Sequence, residues 1–423
     1  MNVRRWWRRA LILFAVLGPG FITASAGNDV GGIAVYSAAG AKFGYAVLWT
    51  LVPLAVSLIV VQEMAGRMGA VTGQGLAGLI RENFGIRLTF FAMAALFFIN
   101  TGITATEFAG IAAWAQIFNL SRFIIIPLAT VVVFLLVLRL SNKIVERVFV
   151  IFSLIYLSYV ISGVQAKPDW GAVLHGTLVP TLSTDTAFIV TVVGLIGTTI
   201  SPYMQFFLQS AVVEKGSGPR DLWNVRADIV VGSIVGIAIA GFIIIANAAT
   251  IFHTDQLTHH AALDIDAAQA TDFARALEPL AGEFAAKLFG FGILNAGLFT
   301  ATVLPLATAF IICEAFGLEA AVDRRWSEAP AFYGLFAGGL VLGAGLVLLL
   351  PANELFQFTF YSQVLQGAVL PLELVLMLII INRKRVMGIY VNKPIVNIIA
   401  WVTTVVVGGL ALVYVFQSVF GGH

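Results

Sequence analysis

The sequence predicts an all-α polytopic membrane protein of eleven transmembrane helices, built as two five-helix repeats of opposite orientation plus one additional helix. Three observations lead there. Of its 423 residues, 60% are hydrophobic and 11% charged, too little polar surface to cover a soluble protein of this size. Apolar stretches long enough to cross a hydrocarbon layer recur along the whole chain. Two of them, the first and the sixth, carry polar groups and helix breakers at mid-length, and elements five apart in an alternating bundle point in opposite directions.

The first segment, residues 11–40, follows a basic flank of Arg4, Arg5, Arg8 and Arg9. Its apolar run is too long for a signal peptide, so it reads as a retained helix. Its middle is Ser25-Ala26-Gly27-Asn28-Asp29-Val30-Gly31-Gly32. An ionisable carboxylate among glycines is costly at that depth and weakens the helix, which divides the segment into half-helices 11–25 and 33–40. The second segment, 45–66, carries Gln62 and Glu63 at its end. The third, 88–118, holds a polar stripe of Asn100, Thr101, Thr104, Thr106 and Glu107 at helical spacing. The fourth (123–138) is plainly apolar, and the fifth (145–163) begins with Glu146 and Arg147.

After a loop at 167–183, the sixth segment (186–210) contains Gly194-Leu195-Ile196-Gly197-Thr198-Thr199-Ile200-Ser201-Pro202-Tyr203. Pro202 removes a backbone donor and clashes with the preceding turn, so a second break is expected at 199–201. The seventh segment, 226–251, starts with Arg226 and Asp228, which read either as a surface pair or as part of a gate. The polar connection 253–283 holds His253, His259 and His260 without compact ligand spacing, which favours a solvated face. Segments eight to eleven follow at 284–316, 332–350, 355–381 and 394–416. The tenth bears Gln363 and Gln366 ahead of Leu370-Pro371.

The chain thus reads as one transmembrane domain over 1–423, with repeats at 11–163 and 184–381 and helix eleven at 394–416. With a cytoplasmic N-terminus, 19 of the 24 Lys and Arg residues fall on the inner side; only Lys42, Arg122, Lys167, Arg275 and Lys287 lie outside. An odd helix count then places His423 outside the cell membrane of a prokaryote-like chain.

Each break frees backbone carbonyls and amides for a ligand. Asp29, Thr198, Thr199 and Ser201 with free carbonyls would form an oxygen-rich cavity suited to a cation, and the Gln363 carbonyl could complete it. Asp29 could alternatively cap the half-helix that follows it. Glu107 could serve the site or an interhelical contact with Asn100 or a threonine. Tyr203 reads first as a packed or gate-lining aromatic. No Ser-His-Asp arrangement or metal-hydrolase motif lies in the helices, so an enzyme is not expected. The lone Cys313 excludes an intrachain disulfide and a Cys-rich metal site. No resident cofactor, nucleic-acid partner or obligate protein partner is implied, and a monomer suffices. A channel would need a repeated filter motif, which is lacking. An organic-solute carrier is disfavoured because Asp29 would repel a carboxylate.

Several stretches are similar to the NRAMP divalent-metal transporters: Leu17-Gly18-Pro19-Gly20-Phe21, Asp29-Val30-Gly31-Gly32-Ile33-Ala34, Ala39-Gly40-Ala41-Lys42-Phe43-Gly44-Tyr45, Glu107-Phe108-Ala109-Gly110, residues 194–210, and Ser362-Gln363-Val364-Leu365. The resemblance spans essentially the whole chain and implies a LeuT-like inverted repeat working by alternating access. It implies a metal site at Asp29, Gly32, Thr198, Ser201 and Gln363, with coupling or gating roles for Thr104, Glu107, Tyr203, Arg226 and Asp228. The chain also departs from the family pattern. Val30 and Gly32 replace the proline and asparagine of the first break, Ser201 stands at the position of the metal-selecting methionine, and Tyr203 stands at that of a histidine. Thr104 occupies an acidic position. These departures are similar to the NRAMP-related magnesium transporter branch. Mg2+ uptake into the cytoplasm, weakly coupled or uncoupled to protons, is the resulting expectation, with a proton-coupled Mn2+/Fe2+ importer as the alternative.

Overall fold

The computed structural model describes residues 27–139, 156–253, 268–319 and 326–420. The expected half-helix 11–25, Glu146 and Arg147 at the start of segment five, and His259 and His260 lie outside the described residues.

The chain is helical throughout the described regions. Helix α1 (Val30–Phe43) leads through a 3-10 turn into α2 (Leu51–Thr72), followed by the short α3 (Leu76–Phe84), α4 (Ile86–Ile117) and α5 (Arg122–Arg139). Next come α6 (Leu157–Gln165), α7 (Trp170–Leu178), α8 (Thr186–Thr199), α9 (Pro202–Glu214) and α10 (Leu222–Asn247), the last continued by one π turn. After the 3-10 segment Ala270–Leu277, the chain completes α11 (Ala285–Phe316), α12 (Pro330–Leu349), α13 (Leu355–Ile381) and α14 (Pro394–Phe420). Among the described residues, eight helical spans are long and apolar enough to cross a membrane, and α5 is a shorter apolar helix.

Most sequence-based boundaries agree with the structure to within a turn, and the break of segment six falls where Pro202 placed it. One difference is instructive. Helix α2 runs to Thr72, beyond the expected end at 66, with Glu63 and Arg67 paired across one turn on the same helix. Helix α13 passes through Pro371 unbroken over the expected 355–381.

The helices sort into two bodies. One apolar core is shared by α4, α5, α11 and α12 through Phe108, Ile126, Phe332, Phe336 and Leu340. The larger core gathers α1, α2, α8, α10 and α13 around Val35, Met64, Val193, Ile243 and Val364. Lipid-soluble helices have no hydrophobic drive to associate, so close backbone approach at small residues holds them together. Where α8 crosses α13, a Cβ on Gly197 would stand 2.0 Å from the Gln363 carbonyl oxygen, and one on Gly367 would stand 2.4 Å from that of Val193. A Cβ on Gly297 of α11 would be 2.7 Å from the Glu107 carbonyl oxygen, which fixes the height of Glu107 against the scaffold. The first break lies at the seam of the two bodies, with Val30 seated on Gly110 of α4.

Candidate metal-transport site

Asp29 starts α1. Its extended backbone makes it the N-cap, and its Oδ1 accepts from the Gly32 amide at 2.7 Å. A carboxylate suits this place because the first amides of a helix have no internal partners and carry partial positive charge. Capping uses Oδ1, and the carboxyl also interacts with the Glu107 side chain of α4. Glu107 Oε2 in turn accepts from the Val30 amide at 3.3 Å. Asp29 is 3% exposed and Glu107 fully buried, so two acidic groups stand side by side away from water. Such a pair calls for a proton or a cation between its members.

Gln363 of α13 lies against Gly31, two residues beyond Asp29. It is fully buried and neither atom of its amide has a hydrogen-bond partner. A Cβ on Gly31 would lie 1.7 Å from Gln363 Nε2, so only glycine admits the amide beside the first break. Gly32 is closed in similarly: its amide is held by Asp29, and a Cβ there would fall 2.1 Å from the Gly27 carbonyl oxygen. Gly32 thus contributes space and a donor to Asp29.

The second break meets the first directly. Thr198 Oγ1 donates to the Gly27 carbonyl at 3.4 Å, and the Tyr36 hydroxyl pairs with Thr199 Oγ1 at 2.9 Å. Ser201 turns back on its own helix, donating to the carbonyls of Gly197 (2.9 Å) and Thr198 (3.2 Å). With its amide turned so that the nitrogen faces these acceptors, Gln205 donates to the Ser201 and Pro202 carbonyls. The structure thus gathers Asp29, Glu107, Thr198, Thr199 and Gln363 around the start of α1 and the α8–α9 interruption, with Ser201 alongside, and adds Tyr36 to them. A signal for Tyr36 was available in the sequence: it stands seven residues beyond Asp29, two turns on along one face of α1.

Other candidates lie elsewhere. Thr104 donates to the Asn100 carbonyl at 2.8 Å, and its methyl lies against Gly343 of α12, facing the scaffold. Tyr203 is buried among Ile103, Met204 and Leu304, a packed aromatic between α4 and α9. Arg226 pairs across helices with Glu63 at 2.8 Å, and Glu63 also holds Arg67 at 3.0 Å. Arg67 further binds the Tyr390 carbonyl and Asn392, so this cluster ties α2 to α10 and to the segment before α14. Asp228 is buried two residues along α10 from Arg226.

A cavity of about 350 Å³ reaches from Asn119, Arg122 and Gln269 down between α1, α4 and α13 to Val30 and Gly110, beside the Asp29–Glu107 pair. Among the described residues there is no cluster of three or more His, Cys, Asp and Glu side chains. One carboxylate pair with amide, hydroxyl and carbonyl oxygens suits an ion held in passing.

An all-α bundle in which the start of α1, with its buried acidic pair, meets the interruption between α8 and α9 fits a secondary transporter rather than an enzyme. The crystal structure of the Eremococcus coleocola manganese transporter in complex with an aromatic bis-isothiourea substituted compound aligns with a TM-score of 0.75 at 20% identity, covering 100% of this chain and 89% of that one. The structure of Mhp1, a nucleobase-cation-symport-1 family transporter, aligns at a TM-score of 0.56 and 14% identity, covering 95% and 93%. These likenesses establish the LeuT-like fold. Residues 20–417 match the Nramp family, described as natural resistance-associated macrophage protein-like, and the chain belongs to it. It is similar to the divalent metal cation transporters MntH of Yersinia pestis (strain Pestoides F), 28% identical over 410 residues and 94% of each chain, and of Klebsiella pneumoniae (strain 342), 27% identical over 412 residues, 94% of this chain and 93% of that one. The protein is an integral membrane transporter of divalent cations.

The magnesium-branch expectation is corrected by these relatives, which are MntH proteins and a manganese transporter. It rested on the combined departures at Val30, Gly32, Thr104, Ser201 and Tyr203. In the structure the Ser201 hydroxyl is hydrogen-bonded to the end of α8, and the Tyr203 ring packs with Ile103, Met204 and Leu304, so neither residue by itself marks a change of metal.

Proposed function

We propose that the chain is a proton-coupled importer of Mn2+ or a chemically similar divalent ion such as Fe2+. Asp29, with the Gln363 carbonyl and oxygens of the two breaks at Gly27 and Thr198, binds the metal, and Glu107 carries the proton. The observation that carries this reading is Gln363, wholly buried and unpartnered, held by Gly31 opposite the Asp29–Glu107 pair. Buried polar groups are almost always satisfied, so an amide left open beside two carboxyls is fitted to a passing ligand. Gly32 shapes the site, Ser201 stiffens the second break, and Arg226, Glu63 and Asp228 belong to an inner gate. Thr104 and Tyr203 support the scaffold on either side of Glu107.

In this reading the half-helix 11–25 completes eleven helices, the repeats are 11–163 and 184–381, and helix 394–416 is appended. The N-terminus is cytoplasmic and the C-terminus external. The cavity under Gln116 and Gln269 is then the outer approach, and a monomer forms the whole site. Entry of a dication along the membrane potential gains about 2.3 kcal/mol per charge per 100 mV.

Reconstitution tests it. Proteoliposomes should take up Mn2+ saturably in the presence of a large Mg2+ excess, with acidification of the lumen in step. Equal suppression of uptake by Mg2+ and by unlabelled Mn2+ would remove the ion assignment. Uptake without acidification would remove the coupling.

A further inference from the structure

Helix α13 carries polar side chains whose satisfaction the metal site does not explain. Gln363, Gln366 and Glu373 are 0%, 0% and 7% exposed, and all six of their side-chain polar atoms are without partners. No other described residue leaves both of its polar atoms in that condition. Gln363 belongs to the metal site. Gln366 lies one turn further along the helix, and Glu373 two turns beyond that, about 15 Å from Gln363 at the helical rise.

Gln366 and Glu373 are seven residues apart and share a face. That face is not the one crossed by α8, which meets α13 at Gly367, nor the one against α14, where Gly408 meets Pro371. Between the two side chains, Pro371 leaves the Gly367 carbonyl without its helical donor.

Among the described residues, Glu373 has no partner of the kind that Arg67 is to Glu63. Of the elements packed on α13, α8 and α14 contain no charged residue, α4 only Arg87 and Glu107, α1 only Lys42 and α9 only Glu214, and the turn at Lys384–Met387 carries Lys384 and Arg385, eleven and twelve residues beyond Glu373. Of the basic groups on α2 and α3, Arg67 is held by Glu63, Tyr390 and Asn392, and Arg81 donates to the Ala315 carbonyl. A buried carboxyl without partner or counter-ion, on a helix that also lines the transport site, is unusual enough inside a membrane to mark a pathway.

The spacing decides what moves along it. Ligands of one metal ion must converge within a few ångströms, whereas these groups are strung out singly down a helix. Amides that both donate and accept, a freed carbonyl and a carboxyl instead suit a file of waters. We propose that Glu373 is a proton-relay residue on a hydrated limb along α13, leading from the Asp29–Glu107 pair to the Asn382 end of the helix. A proton leaves the pair to water, passes by exchange of one O–H bond for another along the file, protonates the Glu373 carboxylate, and departs to the aqueous phase, restoring the carboxylate. The inference rests on the proton-coupled reading above.

The test is Mn2+ uptake by the full-length protein in proteoliposomes with a luminal pH dye, comparing wild type, Glu373→Gln and Glu373→Asp. Glu373→Gln should keep Mn2+ uptake within twofold and lower the proton-to-metal ratio at least fivefold, and Glu373→Asp should recover half of it or more. An unchanged ratio in Glu373→Gln overturns the relay, and so does loss of Mn2+ uptake along with the protons, since a separate limb leaves metal passage intact. Wild type that moves Mn2+ without protons overturns the coupled reading itself, a distinct outcome. If Glu373→Gln is not monodisperse, Gln366→Leu carries the same test, with at least a twofold fall in the ratio expected and no fall overturning the proposal.

Discussion

The two helix breaks solve one backbone problem by different chemistry. At the first, Asp29 caps α1 and still reaches Glu107, so the cap carries charge into the site. At the second, Pro202 starts α9 without needing a donor, and the Ser201 hydroxyl answers the last carbonyls of α8. One break is therefore charged and open toward a ligand; the other is neutral and closed on itself. In the function proposed above, this difference assigns affinity for a dication to the first break and leaves the second to supply shape and a few neutral oxygens.

The sharpest way to break this asymmetry is Asp29→Ala, which removes the charge and the cap together. Mn2+ uptake should fall about a hundredfold or more, since each tenfold step is only about 1.4 kcal/mol and charged ligands contribute well above that. Asp29→Asn keeps the cap through its side-chain oxygen, so it separates the two roles. Retention of uptake by Asp29→Asn would make the residue a helix cap and nothing more.

Next in size is Gln363→Leu. This change exchanges an open amide for an apolar group of similar volume, so the fold should hold while the apparent KM for Mn2+ rises about tenfold, the cost of one neutral ligand. Measured by uptake titration and thermal denaturation together, a drop in stability with unchanged KM would return Gln363 to the core. A smaller effect is expected of Tyr36→Phe, which cuts the bond tying α1 to α8 at the two breaks. Losing one hydrogen bond of about 1 kcal/mol should reduce uptake about fivefold. No change would mean that the breaks are held together by Thr198 and packing alone.

How much of this was legible in the sequence follows from what kind of signal each feature leaves. The membrane class, the helix limits and both breaks come from local chemistry: apolar length, a carboxylate among glycines, a proline after a serine. Asp29, Glu107 and Gln363 stand out because polar groups in apolar runs are costly wherever the chain goes. Partnerships across helices leave no such trace. Arg226 reads as a partner of Asp228 two residues away, yet it crosses to Glu63 of α2 because Arg67 already draws that carboxylate into a network. Tyr36 looks like one more apolar residue until α8 brings Thr199 to its hydroxyl. The Ser201 hydroxyl likewise gives no sign in the sequence that it donates back to the carbonyls of Gly197 and Thr198.

Ser201 therefore gives the finest test of the comparison. If the second break contributes shape and not selectivity, Ser201→Met removes two hydrogen bonds to the end of α8 and introduces a thioether whose first effect is on packing against Gly197 and Thr198. Thioethers favour softer ions, so a methionine reaching the metal would tighten Cd2+ competition tenfold or more, about 1.4 kcal/mol. The closed geometry argues for less: a fall in Mn2+ uptake of about two- to threefold, with the Cd2+ to Mn2+ preference moved by a similarly small factor. Competition assays in proteoliposomes distinguish the two. A large gain for Cd2+ would show that the second break opens toward the ion during transport and selects it, and the division between a charged break and a structural one would give way to a site shared equally by both.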